Sequence, residues 1–164
     1  MKHLLFIIFI LFSCLGFAQV YQGKGDKKIQ VGADFQENAT GIAISYDQGL
    51  GQNFSVGLIA HYALGLADGL DPDFDERSSL KLRFNANLGD VVNISPNFDI
   101  YPGLNLGTKN FGGHVGARYF FTNGFGVYSE ASFPLSKYKT EDLNANESLY
   151  NQFVFTIGTS FNLF

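Results

Sequence analysis

Few side chains in this sequence can do proton or metal chemistry. Beyond His3 at the very start there are two histidines, His61 and His114, and a single cysteine, Cys14. A covalent catalytic site needs a nucleophile, a base and an orienting acid in mutual reach. Neither histidine stands in a recognisable nucleophile motif, and His114 with Glu130 reads as an internal hydrogen bond rather than a catalytic pair. The densest charge cluster is Asp71-Pro72-Asp73-Phe74-Asp75-Glu76. Its alternating carboxylates resemble the start of a calcium loop, which requires Gly at the sixth position and Glu at the twelfth. Those places hold Glu76 and Leu82, which excludes that class of site. A weak divalent site at Asp71, Asp73, Asp75 and Glu76 is the functional alternative to a solvated loop. No glycine-rich turn opens a helix, so no phosphate cradle is expected. An enzyme is not expected, and no cofactor is implied.

The elements that carry these residues are strands. From Lys27 onward, short segments alternate apolar and polar residues, with turn residues between them. The alternation runs through Ile29 to Glu37, Thr40 to Gln48, Phe54 to Gly65, Ser79 to Leu88 and Phe98 to Thr108. Two more strands meet in GGHVGARYFFTNGFGVYSEA, and an eighth runs from Asn151 to the end. A 3.6-residue period appears over no useful length. Segments of about 9–11 residues fit a tilted strand crossing a membrane, and an even number of antiparallel strands fits an outer-membrane barrel. The expected fold is all-β: an eight-stranded antiparallel up-and-down transmembrane barrel. The two long connections, Leu66 to Ser78 and Ser136 to Tyr150, then fall at one end. Pro102 cannot donate to a ladder, so a bulge or a later strand start is expected there.

Alternation alone also fits a soluble lipocalin-like carrier with its apolar face inside. Residue size separates the two. One row is bulky, as in Phe111, Val115, Tyr119 and Phe121; the other is small, as in Gly112, Gly116, Gly126 and Gly158. An eight-stranded barrel is just wide enough for its own side chains, so the small row belongs inside. The same parity sends Asp34, Asp47, His61, Lys81, Arg83, Asp99, His114, Arg118 and Glu130 to the lumen. Four acids against three bases is near balance. A selective pore favours a ring of one sign, so the mixture suggests a paired, hydrogen-bonded plug. A narrow gated channel for small solutes is the alternative.

The first residues read as an export signal. Lys2 and His3 precede an apolar run from Leu4 to Leu15, and Gly16-Phe17-Ala18 supplies small residues before a cut. Residues 1–18 are thus expected to be a signal peptide, and 19–164 the barrel domain, with a structureless lead to about Lys27. Leu11-Phe12-Ser13-Cys14 loosely resembles a lipidation box, although Phe12 fits poorly. Charged residues make up 16% of the chain and the net charge is −4. No basic patch exists, so nucleic acid is not an expected partner.

The stretches GGHVGARYFFTNGFGVYSEA and FTIGTSFNLF resemble small outer-membrane barrels of the OmpA/OmpX type. The leader ending in GFAQ and the block RFNANLGD…IYPGLNLG resemble uncharacterised, porin-like outer-membrane barrel proteins of Bacteroidota. The resemblance implies an outer-membrane location, surrounding lipid and insertion by the barrel-assembly machinery. The family's terminal aromatic is matched by Phe164, which falls on the inward parity. A monomer is expected. Its role would be non-enzymatic, structural or surface-interacting, with an extracellular partner met through the long loops.

Overall fold

The computed structural model describes residues 20–139 and 144–163. The leader at 1–18, Cys14 and Phe164 lie outside the described residues. Eight strands follow in order: β1 (Lys27–Gln36), β2 (Ala39–Gly49), β3 (Phe54–Leu66), β4 (Ser78–Ala86), β5 (Phe98–Gly107), β6 (Asn110–Phe120), β7 (Phe125–Lys137) and β8 (Val154–Leu163). Each pairs antiparallel with the next, and β8 returns to β1, from Lys27 opposite Leu163 to Gln36 opposite Val154. The result is a closed all-β barrel of eight antiparallel strands. Closure leaves no sheet edge to template aggregation.

Period 2 becomes an inside and an outside. In β2 every residue switches between buried and exposed. The bulky row faces out: Ile42, Ile44, Leu58, Leu82, Phe84, Leu104, Ile157 and Phe161 are all exposed. The small row faces in, where several glycines act as seats. A side chain at Gly116 would run into the Tyr101 ring, and one at Gly32 would meet the Tyr128 hydroxyl at 2.5 Å. Register explains both: Tyr101 lies opposite Gly116, and Tyr128 lies opposite Gly158, which in turn lies opposite Gly32. The inward row therefore interleaves small residues with large polar and aromatic ones.

Pro102 behaves differently from the sequence expectation. The β5–β6 ladder passes it without a shift, and β5 begins at Phe98. The β4–β5 ladder instead stops at Asn85 opposite Gly103. On the same register Thr108 N–H donates to Leu80 O at 3.0 Å, and Leu88 N–H donates to Ile100 O at 2.9 Å. Pro102 falls between these rungs, opposite Ala86, where alternation calls for a donor it lacks. It removes one rung instead of forcing a bulge. Bulges occur at Thr40/Gly41 and Phe111/Gly112.

The connections sort by end. The long-loop end has residues 37–38, 67–77, 108–109 and 138–153; the short-turn end has 50–53, 87–97 and 121–124. Among the described residues two short helices sit in these connections: α1 (Phe74–Arg77) at the long-loop end and α2 (Gly89–Val92) at the short-turn end. The lead before β1 is not structureless over its described part. Val20 packs on Phe120, its N–H donates to Pro96 O at 3.1 Å, and the Tyr21 hydroxyl donates to Gly51 O at 3.0 Å. Burial of these two side chains holds an irregular backbone against the barrel floor.

Candidate functional site

All nine lumen side chains inferred from parity are buried inside the barrel. They join into three layers. The middle layer is built on Arg83 of β4, whose Nη2 donates to Glu130 Oε2 of β7 at 2.6 Å. Its Nε lies 3.4 Å from Asp47 Oδ1 of β2 and donates to Asn85 Oδ1 at 3.2 Å. Asn85 Nδ2 in turn donates to Asp47 Oδ1 and to Ser55 Oγ, each at 3.0 Å. His114 does not bond Glu130 as expected: its Nε2 lies 2.8 Å from Asn85 Oδ1 and 3.3 Å from Arg83 Nη2. Gly103 makes this seat, since a Cβ there would strike the His114 ring. One guanidinium thus bridges strands on opposite walls.

The layer toward the short turns is built on Arg118. It donates twice to Asp99 Oδ2, at 3.0 and 2.7 Å, and to Asn87 Oδ1. Asp99 Oδ1 also accepts Gly89 N–H at 2.7 Å, tying the start of α2 to the network. Tyr101 lies between the two arginines, its ring centre 4.6 Å from the Arg118 guanidinium carbon and 5.7 Å from that of Arg83. A cation on an aromatic face in a desolvated place adds to both ion pairs. Below, buried Lys28 pairs with Asp26 and lies over the Tyr21 and Phe120 rings. Burial, with Asp26 nearby, pushes the Tyr21 phenol up to about 12.

The third layer faces the long loops. Asp34 accepts from Thr156 Oγ1 at 2.6 Å and lies 2.8 Å from His61 Nδ1. Lys81 is buried nearby, and among the described residues it has no carboxylate within ion-pair distance. Above this layer Leu149, Tyr150, Val154, Ala39 and Ala63 form an apolar cluster across the mouth. Tyr150 is held in the left-handed region, φ 57°, an uncommon state for an aromatic residue. Its N–H donates to Gln36 Oε1 at 2.8 Å and its carbonyl accepts from Asn110 Nδ2 at 2.9 Å. Lys109, in the β5–β6 turn, donates to Leu149 O at 3.1 Å and to Glu76 O, so one ammonium ties two loops together. Burial pulls the Lys109 ammonium down to about 8, and burial with Asp34 nearby raises the Tyr150 phenol.

Several members of this network escaped the sequence reading. Lys28 lies one residue before the segment drawn from Ile29, although its parity is inward. Asn85 and Asn87 extend the row of Lys81 and Arg83 but carry no charge. Gln30, Tyr101, Tyr128 and Thr156 were hidden by the rule that inward residues are small; the glycines facing the two tyrosines were the available signal.

The acidic cluster does not gather its carboxylates in this structure. Among the described residues no group of three or more acidic, histidine or cysteine side chains is placed to hold a metal ion. The Glu76 carboxylate instead accepts Asp73 N–H at 2.9 Å, capping α1. Asp71, Asp73 and Asp75 are exposed.

No curated protein matches this sequence. Two solved structures share the architecture. A designed chain reported under "De novo design of transmembrane beta-barrels" superposes with TM-score 0.58 at 11% identity, covering 87% of this chain and 98% of that one. The N-terminal β-barrel domain of Pseudomonas aeruginosa OprF superposes with TM-score 0.58 at 14% identity, covering 87% of this chain and all of that domain. Identity this low shows a shared fold and nothing more. At the level of sequence, residues 10–163 match one family along nearly the whole chain, and the protein belongs to it: the family of unknown function DUF6646.

Proposed function

We propose that this protein is a non-conducting outer-membrane barrel of Bacteroidota type, exported by the leader at 1–18 and folded as one domain over 19–164. Its role is non-enzymatic. The wall is an anchor, and the loops of the long-loop end meet an extracellular partner. One observation carries the reading: the barrel is polar inside and apolar outside, and its inward arginines and acids meet one another across the lumen. Exposed apolar side chains girdle the wall, a pattern that water penalises and lipid does not. Both lumen arginines are paired with carboxylates, and both ends are covered, by Val20 and Tyr21 below and by Leu149 and Tyr150 above. Asp34, Asp47, His61, Lys81, Arg83, Asp99, His114, Arg118 and Glu130 therefore serve as a structural plug. A charged interior also fits an apolar cargo poorly, which disfavours the lipocalin-like alternative. Surrounding lipid and the barrel-assembly machinery are the implied partners, and a single chain closes its own sheet, as a monomer does.

Two measurements test this. Unheated protein from the outer-membrane fraction should migrate differently from boiled protein, because a closed barrel resists detergent until heated. Purified protein in planar bilayers should show no steady single-channel current. A soluble protein without a heat shift sinks the membrane reading. A steady current altered by Arg83→Met or Glu130→Gln replaces the plug by a narrow channel.

A further inference from the structure

The β4–β5 connection carries apolar residues that neither the lumen nor the strands absorb. Val91 is 64% exposed, Val92 46% and Ile94 69%. The connection is also the longest at its end of the barrel, where the other two have four residues each, 50–53 and 121–124. An exposed apolar tip needs an occupant, and α2 shows on which side it lies. Asp90 borders a cleft shared with Tyr21, Gln22, Gln52 and Asn53, beneath the barrel floor. At about 100° per helical residue, Val92 lies about 200° round from Asp90, on the side away from the floor. Asn93 then adopts φ 50° and ends the helix, leaving Ile94 exposed just beyond it.

The neighbouring strands say what lies on that side. The outward row of β4 runs through exposed Leu80, Leu82 and Phe84, and the parity continues to Leu88 before Val91. The outward row of β5 starts with Phe98 and Ile100 directly after the tip. The tip thus prolongs the apolar band of the wall, and its one charge, Asp90, is turned toward the barrel floor. We infer that Val91, Val92 and Ile94 form a membrane anchor seated in the headgroup-to-acyl boundary of the phospholipid leaflet at the short-turn end. Apolar side chains at that depth need no partner protein to cover them. The anchor rests on the outer-membrane reading above, and its test separates the two.

The sequence contains no tryptophan, so one introduced residue reports alone. Ile94→Trp and, separately, Leu82→Trp at mid-strand are refolded into phosphatidylcholine vesicles brominated either near the headgroup end of the acyl chain or near its methyl end. Val91→Trp is a second reporter should Ile94→Trp fold poorly. Leu82→Trp should lose most emission with deep bromines. Ile94→Trp should lose a comparable share, but with the shallow bromines, and its emission maximum should be bluer than that of a tryptophan in water. Quenching of Leu82→Trp without quenching of Ile94→Trp or Val91→Trp overturns the anchor alone, and places the tip in water or on a protein partner. Absence of quenching in every variant overturns the membrane reading as well.

Discussion

Replacing Arg83 by Met tests the plug at its most connected point. Arg83 serves two carboxylates, Glu130 at 2.6 Å and Asp47 at 3.4 Å, and holds Asn85 at 3.2 Å. Methionine keeps much of the volume and removes every donor. Glu130 loses its only ion-pair partner among the described residues, whereas Asp47 keeps the amide of Asn85. Removing one member of a buried ion pair costs about 3–5 kcal/mol, because the abandoned charge stays desolvated. Arg83→Met should therefore cost about 3–5 kcal/mol. Glu130→Gln should cost about 2 kcal/mol, near the value of one charge-assisted hydrogen bond, since Arg83 keeps Asp47. Lys81→Met is the control: it makes the same change of charge on the same strand, also at a buried site, but breaks no ion pair among the described residues. It should cost nothing. The assay is urea unfolding of protein refolded in vesicles, read as the fraction of the fast-migrating folded band. Equal losses below about 1 kcal/mol for Arg83→Met and Lys81→Met would mean that lumen water solvates each charge separately. The network would then hold nothing together, and the reasoning would fail.

Three further outcomes follow from the geometry. Leu82→Arg, on the exposed mid-strand face, should cost about 2–4 kcal/mol in bilayers; free tolerance there would place the wall in water. Gly116→Leu should abolish the fast-migrating band by colliding with the Tyr101 ring, and Tyr101→Ala in the same chain should restore it. The third concerns Lys109, whose pKa falls from 10.5 to about 8 in the folded barrel. Between those values the unfolded chain holds the extra proton, so stability rises with pH from about 8 to 10.5, and the burial penalty is complete below about 8. Melting midpoints across that window should rise in the native protein relative to Lys109→Met; parallel curves would show that the ammonium is not buried against the loops.

The strands and their faces were legible because a period of two and a contrast of size are both written residue by residue. Parity alone sent Arg83, Arg118 and Glu130 inward. It could not say which acid meets which base, because that depends on how strands on opposite walls approach through the lumen. His114 shows the gap: Glu130 lies on the adjacent strand, yet Asn85, from across the β5 hairpin, reaches the ring first. The packed lead at Val20 and Tyr21 was unreadable for a related reason. Its backbone is irregular, and only the floor it covers explains why it is fixed. Pro102 was misjudged because the sequence does not reveal which of two neighbouring ladders a missing N–H belongs to.

The tyrosine seats carry a consequence for how the barrel zips together. A strand can slide by two residues without turning any side chain inside out, so alternation is blind to such an error. Sliding β6 by two against β5 would set Tyr101 against His114 or Arg118 in place of Gly116. Both are bulky, and the ring would have nowhere to lie. Tyr101 with Gly116 thus acts as a lock and key along the chain axis, accepting one alignment and rejecting its nearest plausible neighbours while the sheet is still forming.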